Sequence, residues 1–573
     1  MPVAPTYPGV YIEEIPSGVH TIVGVATSIT AFIGRTVSGP TQQPVVINGF
    51  GDFDQQFGGL DVDCPLSYAV NDFYQNGGSQ AIIVRVTGSA ATSATLSGNG
   101  LTLVASSPGT WGNALVASVD NLNITDPVAA RYGLTAADLF NLTVSEVVGT
   151  RTISQERFLN LSFKADGPGV SAAARAQRVD RVLSQSSQLV RLALQKDGIT
   201  PNLPTSSPLG KPAAAKGGAA AAGAGAAGAA PEDGGAAPAA GAAPAAPAGP
   251  PAPIALKNNS DGVDSGSLKP ADLIGLQDKK TGIYALETAD LFNLLCIPTD
   301  TPGGDTDNTV YQAALAYCVT RRAVLIVDSP SAWSANPVTA AANAVAGVGA
   351  LGLTGDAARN AALYFPRVIE SDPLSNGQLI TVPPCGIMAG IMAQTDVSRG
   401  VWKAPAGVEA TLSGINALQV NLTNAENGSL NPLAINCLRT FPVYGSVVWG
   451  ARTMAGADQL ADDYKYIPVR RLALFLEESL YRGTQWVVFE PNDTPLWASI
   501  RLNVGSFMHN LFVQGAFQGQ TPADAYFVSC DSTTNPQNQI DLGIVNIVVG
   551  FAPLKPAEFV ILQIQQIAGN ILT

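Results

Sequence analysis

Charge is scarce in this sequence. Asp, Glu, Lys and Arg make up 13% of its 573 residues, about half the ~25% of an ordinary soluble domain. Histidine is rarer still: only His20 and His509 occur, which excludes an H-E-x-x-H zinc site and any histidine-rich metal centre. The six cysteines, Cys64, Cys296, Cys318, Cys385, Cys437 and Cys530, form no C-x-x-C pair, so zinc-ribbon and thioredoxin chemistry lack their ligands. Several lie in apolar runs such as NLLCIP and AINCL, which reads as buried free thiols in a reducing compartment. A G-x-S-x-G elbow and a G-x-x-x-x-G-K-[ST] phosphate loop are both missing, which removes the commonest serine hydrolases and nucleotide hydrolases. The longest apolar stretches, such as LGIVNIVVGFAPL at 542–554, fall short of the ~20 residues of a membrane helix. The first residues show neither the charged nor the apolar region of a secretory signal. The expectation is therefore a chain made and assembled in the cytoplasm, with no membrane insertion. Dense basic runs are absent and the net charge is −13, against coating of nucleic acid, where Lys and Arg must neutralise phosphates.

What is present is apolar. Hydrophobic residues reach 46%, enough for several buried cores, and the length suggests two to four domains. Few charges without a membrane span imply a surface covered by partner subunits.

Residues 212–253 are almost entirely Ala, Gly and Pro. They have nothing to bury, cannot offset their ordering entropy, and are expected to be a mobile insert. Upstream, TAFIGRT reads as a strand, CPLSYAVNDFYQNGG as a helix with a glycine stop, and QAIIVRV as a buried strand. Residues 96–165 are strand-rich, followed by a helix at about 171–194. Downstream the rhythm becomes strand, helix, strand, helix, strand: LFNLLCIP, 309–322, AVLIVDSP, 337–347 and AALYFPRV. That order implies parallel pairing through right-handed crossovers. Longer helices follow at 467–482, ending at Gly483, and at about 495–514.

An α/β layer invites an enzyme reading on a phosphorylated ligand, with Asp328 at a strand's carboxyl end and the glycines of GVGALG at 347–352. The glycine run follows a helix, whereas a dinucleotide loop leaves a strand and opens a helix. Asp328 precedes Ser-Pro, the setting of a turn-former. GAGAAG at 223–228 lies inside the Ala/Gly insert and is an accident of composition. Neighbouring carboxylates such as Glu13-Glu14 and Asp462-Asp463 point different ways in either a strand or a helix. No catalytic, cofactor or metal residue is assigned.

The two ends share a pattern. PGVYIEEIPSG carries Val10, Tyr11, Ile12 and Ile15 between Pro8 and Pro16, and KPAEFVILQIQQ places Val560, Leu562 and Ile564 on one face. Proline is confined to strand ends and edges. Each run is either a terminal strand of its own domain or an arm reaching a neighbouring copy by strand addition. A static shell or lattice protein would use such arms equally well.

The sequence resembles contractile tail sheath proteins of phage tails and extracellular contractile injection systems. The resemblance rests on PGVYIEEIPSG…TIVGVATSITAFIGRTVSGP, NDFYQNGGSQAIIVRV, SSPGTWGNALVASV, GVWKAPAG, LNPLAINCLRTFPVYGSVVWGARTM, YIPVRRLALFLEESLYRGTQWVVFEPNDTPLW and AYFVSCDSTTN. It implies a structural subunit, not an enzyme, without cofactor. Such a subunit stacks as rings around an inner tube, contracts, and drives the tube through a target envelope. Its implied partners are itself, the inner tube protein, and baseplate and terminal cap proteins. The resemblance also implies strand-swapped arms at about 5–20 and 540–566. It further implies a charged tube-gripping helix, for which 467–482 is the candidate, with Arg470, Arg471, Glu477, Glu478 and Arg482 away from the apolar stripe. The expected fold is α/β and α+β multidomain, its α/β core built from N- and C-terminal segments around an inserted β-rich domain. The expected boundaries are 1–20 (N-terminal arm), 21–95 (core), 96–205 (β-rich insertion with one helix), 206–268 (flexible insert), 269–539 (core) and 540–573 (C-terminal arm).

Overall fold

Val324–Asp328 is buried along all five residues, and so are Thr30–Gly34, Ala81–Arg85 and Ala361–Phe365. Strands without a polar face belong in a sheet covered on both sides. In the computed structural model, which describes residues 20–167, 170–209 and 253–563, they form an eight-stranded sheet. Its spatial order is Gly445–Val448, Ile435–Phe441, Ala361–Phe365, Val324–Asp328, Leu294–Cys296, Thr30–Gly34, Ala81–Arg85, Pro44–Ile47. The inner strands pair in parallel, and each edge is closed by one antiparallel strand. Helices Asn308–Arg321 and Ala340–Gly347 provide the crossovers between successive parallel strands.

The chain divides into two compact units, one made of residues up to Gly88 with those from Ser267 onward, the other Ser89–Gly266. In the first, alternate residues of each strand feed opposite cores. Ile33, Leu295 and Leu325 face one side, and Phe32, Cys296 and Ile326 the other. All six cysteines are buried and unpaired.

The second unit holds two four-stranded antiparallel sheets. One runs Ile254–Ala255, Leu115–Asp120, Leu139–Val148, Arg151–Ser162; the other Lys257–Ser260, Thr95–Gly98, Leu101–Ala105, Val190–Leu192. Three expectations need correction. The single helix at 171–194 is instead Ala172–Ala176, Val179–Ser186 and then the strand Val190–Leu192. Ser187 is extended and its hydroxyl donates to Glu156 at 2.5 Å, which stops the helix. Val190 and Leu192, both buried, then follow the two-residue period of a strand. The expectation of a flexible insert over the whole of 206–268 also fails at its end, because residues 254–260 pair with Leu115–Asp120 and Thr95–Gly98 while Leu256 is buried. Most of the Ala/Gly/Pro stretch lies outside the described residues. AALYFPRV is likewise not one strand: it ends at Phe365 before Pro366, and Val368–Asp372 opens a separate three-stranded sheet.

Two features of the first unit are unusually demanding. Helix Cys385–Arg399 lies against helix Pro65–Gln75 through Gly386 and Gly390. A Cβ at Gly386 would sit 2.0 Å from the Ala69 carbonyl oxygen, and one at Gly390 2.6 Å from that of Phe73. Nearby, Asp72 and Glu370 are both buried. The two carboxyl groups interact with each other, and among the described residues no other group donates to Oδ2 of Asp72 or Oε1 of Glu370. Burial and mutual repulsion push Asp72 well above the usual carboxylate range, and burial pushes Glu370 up to about 7.

Gly386→Val is expected to destabilise the fold by about 1–3 kcal/mol or more through overpacking, measured by denaturant unfolding. For Glu370 the folded pKa lies above the unfolded value of 4.5. Its favourable contribution is therefore complete in acid and is lost as pH rises from about 4.5 to 7. Glu370→Gln is expected to raise the thermal midpoint relative to the parent at pH 8 more than at pH 5; an equal shift at both pH values would exclude the buried-pair account.

Candidate assembly interfaces

Helix Ile467–Gly483 starts with Pro468 in its first turn and buries Val469, Leu472, Ala473 and Leu476. It buries a second ridge as well: Ile467, Arg471, Leu474 and Glu478. Arg471 and Glu478 are therefore not on the outward face expected from the pattern. Both Arg471 terminal nitrogens bond Asp396, at 2.9 and 2.6 Å, and Nη2 also reaches the Thr27 carbonyl at 2.9 Å. Thr27 Oγ1 donates to the same carboxylate at 2.6 Å. A buried bidentate pair of this kind ties three distant segments, and removing one partner strands a charge in the core.

Glu478 accepts from Arg482 Nε at 2.7 Å and Arg322 Nη1 at 2.8 Å, and Arg482 also grips Asp290 at 2.8 and 3.0 Å. Arg470 is largely covered. It bonds Asn360 at 3.0 Å, stacks on Tyr464 at 4.9 Å and meets Glu477 at 3.4 Å. The outward charge at this helix is thus Glu477 and Arg482 with Asp290, beside a concavity of about 510 Å³ that Tyr481 and Arg322 also line. Asp290 and Arg322 lie far from the helix in sequence, and no local spacing announces them.

At the carboxyl end, Val548–Phe551 pairs antiparallel with Tyr526–Ser529 of the same chain, Tyr526 opposite Phe551. Residues 548–551, expected in a C-terminal arm from 540, therefore pair within the chain instead. Among the described residues neither of these two strands pairs with a third. Glu558 then fixes the chain. Its carboxylate takes Arg452 Nε and Nη2, both at 2.7 Å, Asn431 Nδ2 at 2.8 Å and the Tyr466 hydroxyl at 3.0 Å. Those donors hold it below the usual carboxylate range against the opposing effect of burial. Arg452 is fully buried. Immediately beyond, Phe559, Val560, Ile561 and Leu562 stand in solvent outside any strand, Val560 at 79% and Leu562 at 82% exposure. Ile564 at this end and Val10, Tyr11, Ile12 and Ile15 at the other lie outside the described residues.

The residues of the enzyme reading have structural surroundings. Gly347 closes a helix and residues 348–351 continue as a 3₁₀ turn, so the glycine run does not leave a strand. Asp328 is buried beside the first turn of helix Cys385–Arg399, with Cys385 as its polar neighbour there. Burial raises its pKa to about 6, opposed by Cys385 and Arg367. The adjoining cavity is about 10 Å³, room for no more than one water. Among the described residues no helix is long and apolar enough to cross a membrane.

Two family models match the chain: the phage tail sheath protein central domain over residues 274–454 and the phage tail sheath C-terminal domain over 460–567. Together they span about half of it. The tail sheath protein of Vibrio phage KVP40 is 30% identical over 182 residues, 32% of this chain and 26% of that protein. That of Enterobacteria phage T4 is 27% identical over 162 residues, 28% and 23% respectively. The matched stretch thus spans about a quarter of each relative's length. In fold, the chain is similar to the anti-feeding prophage helical sheath in its contracted state (TM-score 0.52, 22% identity, covering 98% and 100% of the two chains). It is also similar to the contracted PVC sheath of an extracellular contractile injection system (0.52, 20%, 99% and 99%) and to a sheath tail protein of Listeria innocua (0.53, 10%, 93% and 96%). With the α/β core, the clasped C-terminal segment and these matches along both halves of the core's second part, the chain belongs to the contractile tail sheath family.

Proposed function

We propose that this chain is the repeating subunit of a contractile sheath. Copies stack as rings around an inner tube, are held extended, and contract to drive the tube through a target envelope. The observation that carries this reading is the stretch Phe559–Leu562, four consecutive exposed apolar residues rooted by the Glu558–Arg452 clasp. A monomer gains nothing from leaving such a run in water. A neighbouring copy's two-stranded sheet, Tyr526–Ser529 with Val548–Phe551, offers backbone groups to pair with it. The N-terminal run with Val10, Tyr11, Ile12 and Ile15 is the second arm.

The mechanism requires two packings of one folded core. The parallel sheet and its two faces move as a body, while the arms beyond Glu558 and before His20 keep the copies tied. A difference of only a few kcal/mol per copy suffices when the copies change state together. The tube is held by the outward end of helix Ile467–Gly483, through Glu477, Arg482 and Asp290, whose exposed ion pairs are individually weak and so release readily. The partners are further copies, the inner tube protein, and baseplate and terminal cap proteins. Assembly takes place in the cytoplasm, and the product is a phage-tail-like particle.

Electron microscopy of the purified chain is expected to show hollow tubes of one wide diameter. Removing residues 559–573 together with 1–19 should abolish them while the thermal midpoint of the remaining core changes little. Sheets instead of tubes would support a static lattice. Arg482→Glu is expected to cut the yield of sheath that co-sediments with tube at least several-fold and to leave empty sheath assembly intact. Unchanged co-sedimentation would remove this helix end from the tube interface.

A further inference from the structure

The loop after helix Ile467–Gly483 ends in an unusual residue. Phe489 has φ +73°, in the left-handed region that a bulky side chain rarely occupies. It is fully exposed, and Val488 beside it is 62% exposed. This is not a loose tip. Asn492 Oδ1 accepts from Trp497 Nε1 at 2.9 Å, its amide donates to the Ile544 carbonyl at 3.0 Å, and Asp493 caps the next helix at Leu496 N, 3.2 Å. On the other side Trp486 stacks on His20 at 4.1 Å. The fold therefore holds an aromatic ring out into water in a strained conformation, between exposed Val488 and Glu490, with Asp493 following.

The same unit contains a groove of about 1010 Å³ with the opposite character. Trp402 and Trp449 line it, Trp449 resting on Phe441 at 4.6 Å. The cations Lys403, Arg439 and Lys555 face it. Its acids, Asp458 and Glu558, are already engaged by Arg452. Knob and groove stand at opposite ends of one helix. Tyr466 lines the groove and immediately precedes the helix, and Thr484 opens the loop. Seventeen residues separate them by ~25 Å at ~1.5 Å per residue.

We propose that Phe489 is the knob of a head-to-tail contact between copies, seated in the basic, tryptophan-lined groove of the next copy. Aromatic knob meets aromatic wall, and Glu490 and Asp493 meet the groove's cations. The separation forbids a copy from filling its own groove, so the knob needs a neighbour, and when the contact is not reciprocated it is heterologous and repeats around a ring or along a helix. Burying the ring on association also accounts for its strained backbone, which is retained although glycine would fit the turn better. The contact rests on the sheath reading and adds to it a join made by folded surfaces, distinct from the arms.

The test uses the full chain. Val488→Cys with Ala557→Cys, the latter on the groove wall, leaves Phe489 in place, and the six native cysteines are buried. Oxidising assembled tubes of this double variant should give a ladder of covalent oligomers, which neither single variant gives. Phe489→Gly should raise the concentration needed for assembly at least tenfold without lowering the thermal midpoint of the unassembled chain. Tubes that form normally but yield no ladder, or a disulfide joining the Val488→Cys variant to the inner tube protein, would overturn the contact and leave the sheath reading standing. Failure of the parent chain to form tubes would overturn both.

Discussion

The first unit depends on one pairing. Strand Thr30–Gly34 lies between Ala81–Arg85 and Leu294–Cys296, with Thr30 opposite both Ala81 and Leu294. The pairing joins the beginning of the chain to its second half across the whole of Ser89–Gly266. Both faces of the joined sheet are buried, so a missing central strand would expose two cores at once. Closing a long loop costs only slightly more than closing a short one. That is why an entire unit, with its Ala/Gly/Pro stretch, can be accommodated between strands that end up two places apart. The burden falls on folding rate, since such pairings have high sequence separation.

Three arginines are used in one way. Arg452 binds Glu558 and Asp458, Arg471 binds Asp396, and Arg367 binds Asp305 with the Ser329 and Gly304 carbonyls. Each of these guanidiniums is nearly or fully buried and ties segments distant in sequence. Charges placed inside do not solvate the surface. The exterior keeps apolar features such as Phe489 and Phe559–Leu562, which the proposed contacts between copies would cover.

The core was legible where period and length agree. Strands at 30–34, 81–85 and 324–328 and helices at 308–321 and 467–483 follow their patterns. Their apolar spacing and their Gly, Pro and Asp punctuation are local properties. Reading failed where a partner far along the chain decided the matter. The segment 187–192 left its helix because Val190–Leu192 pairs with Leu101–Ala105. Residues 254–260, beside a stretch with nothing to bury, became strands because two sheets offered them edges. Arg471 reads as a surface charge until Asp396 is brought to it.

The amino-acid sequence by itself determined the elements whose period and length agree, such as strands 30–34, 81–85 and 324–328 and helices 308–321 and 467–483. It also determined the absence of catalytic motifs and the apolar character of both ends, because these follow from spacing and composition over a few turns of chain. Only the tertiary structure decided which charges are buried, where the C-terminal segment is clasped by Arg452, and that an aromatic knob and a basic groove lie at opposite ends of one helix. Those are consequences of distance in space, and contacts between residues hundreds of positions apart leave no periodic trace in the sequence that carries them.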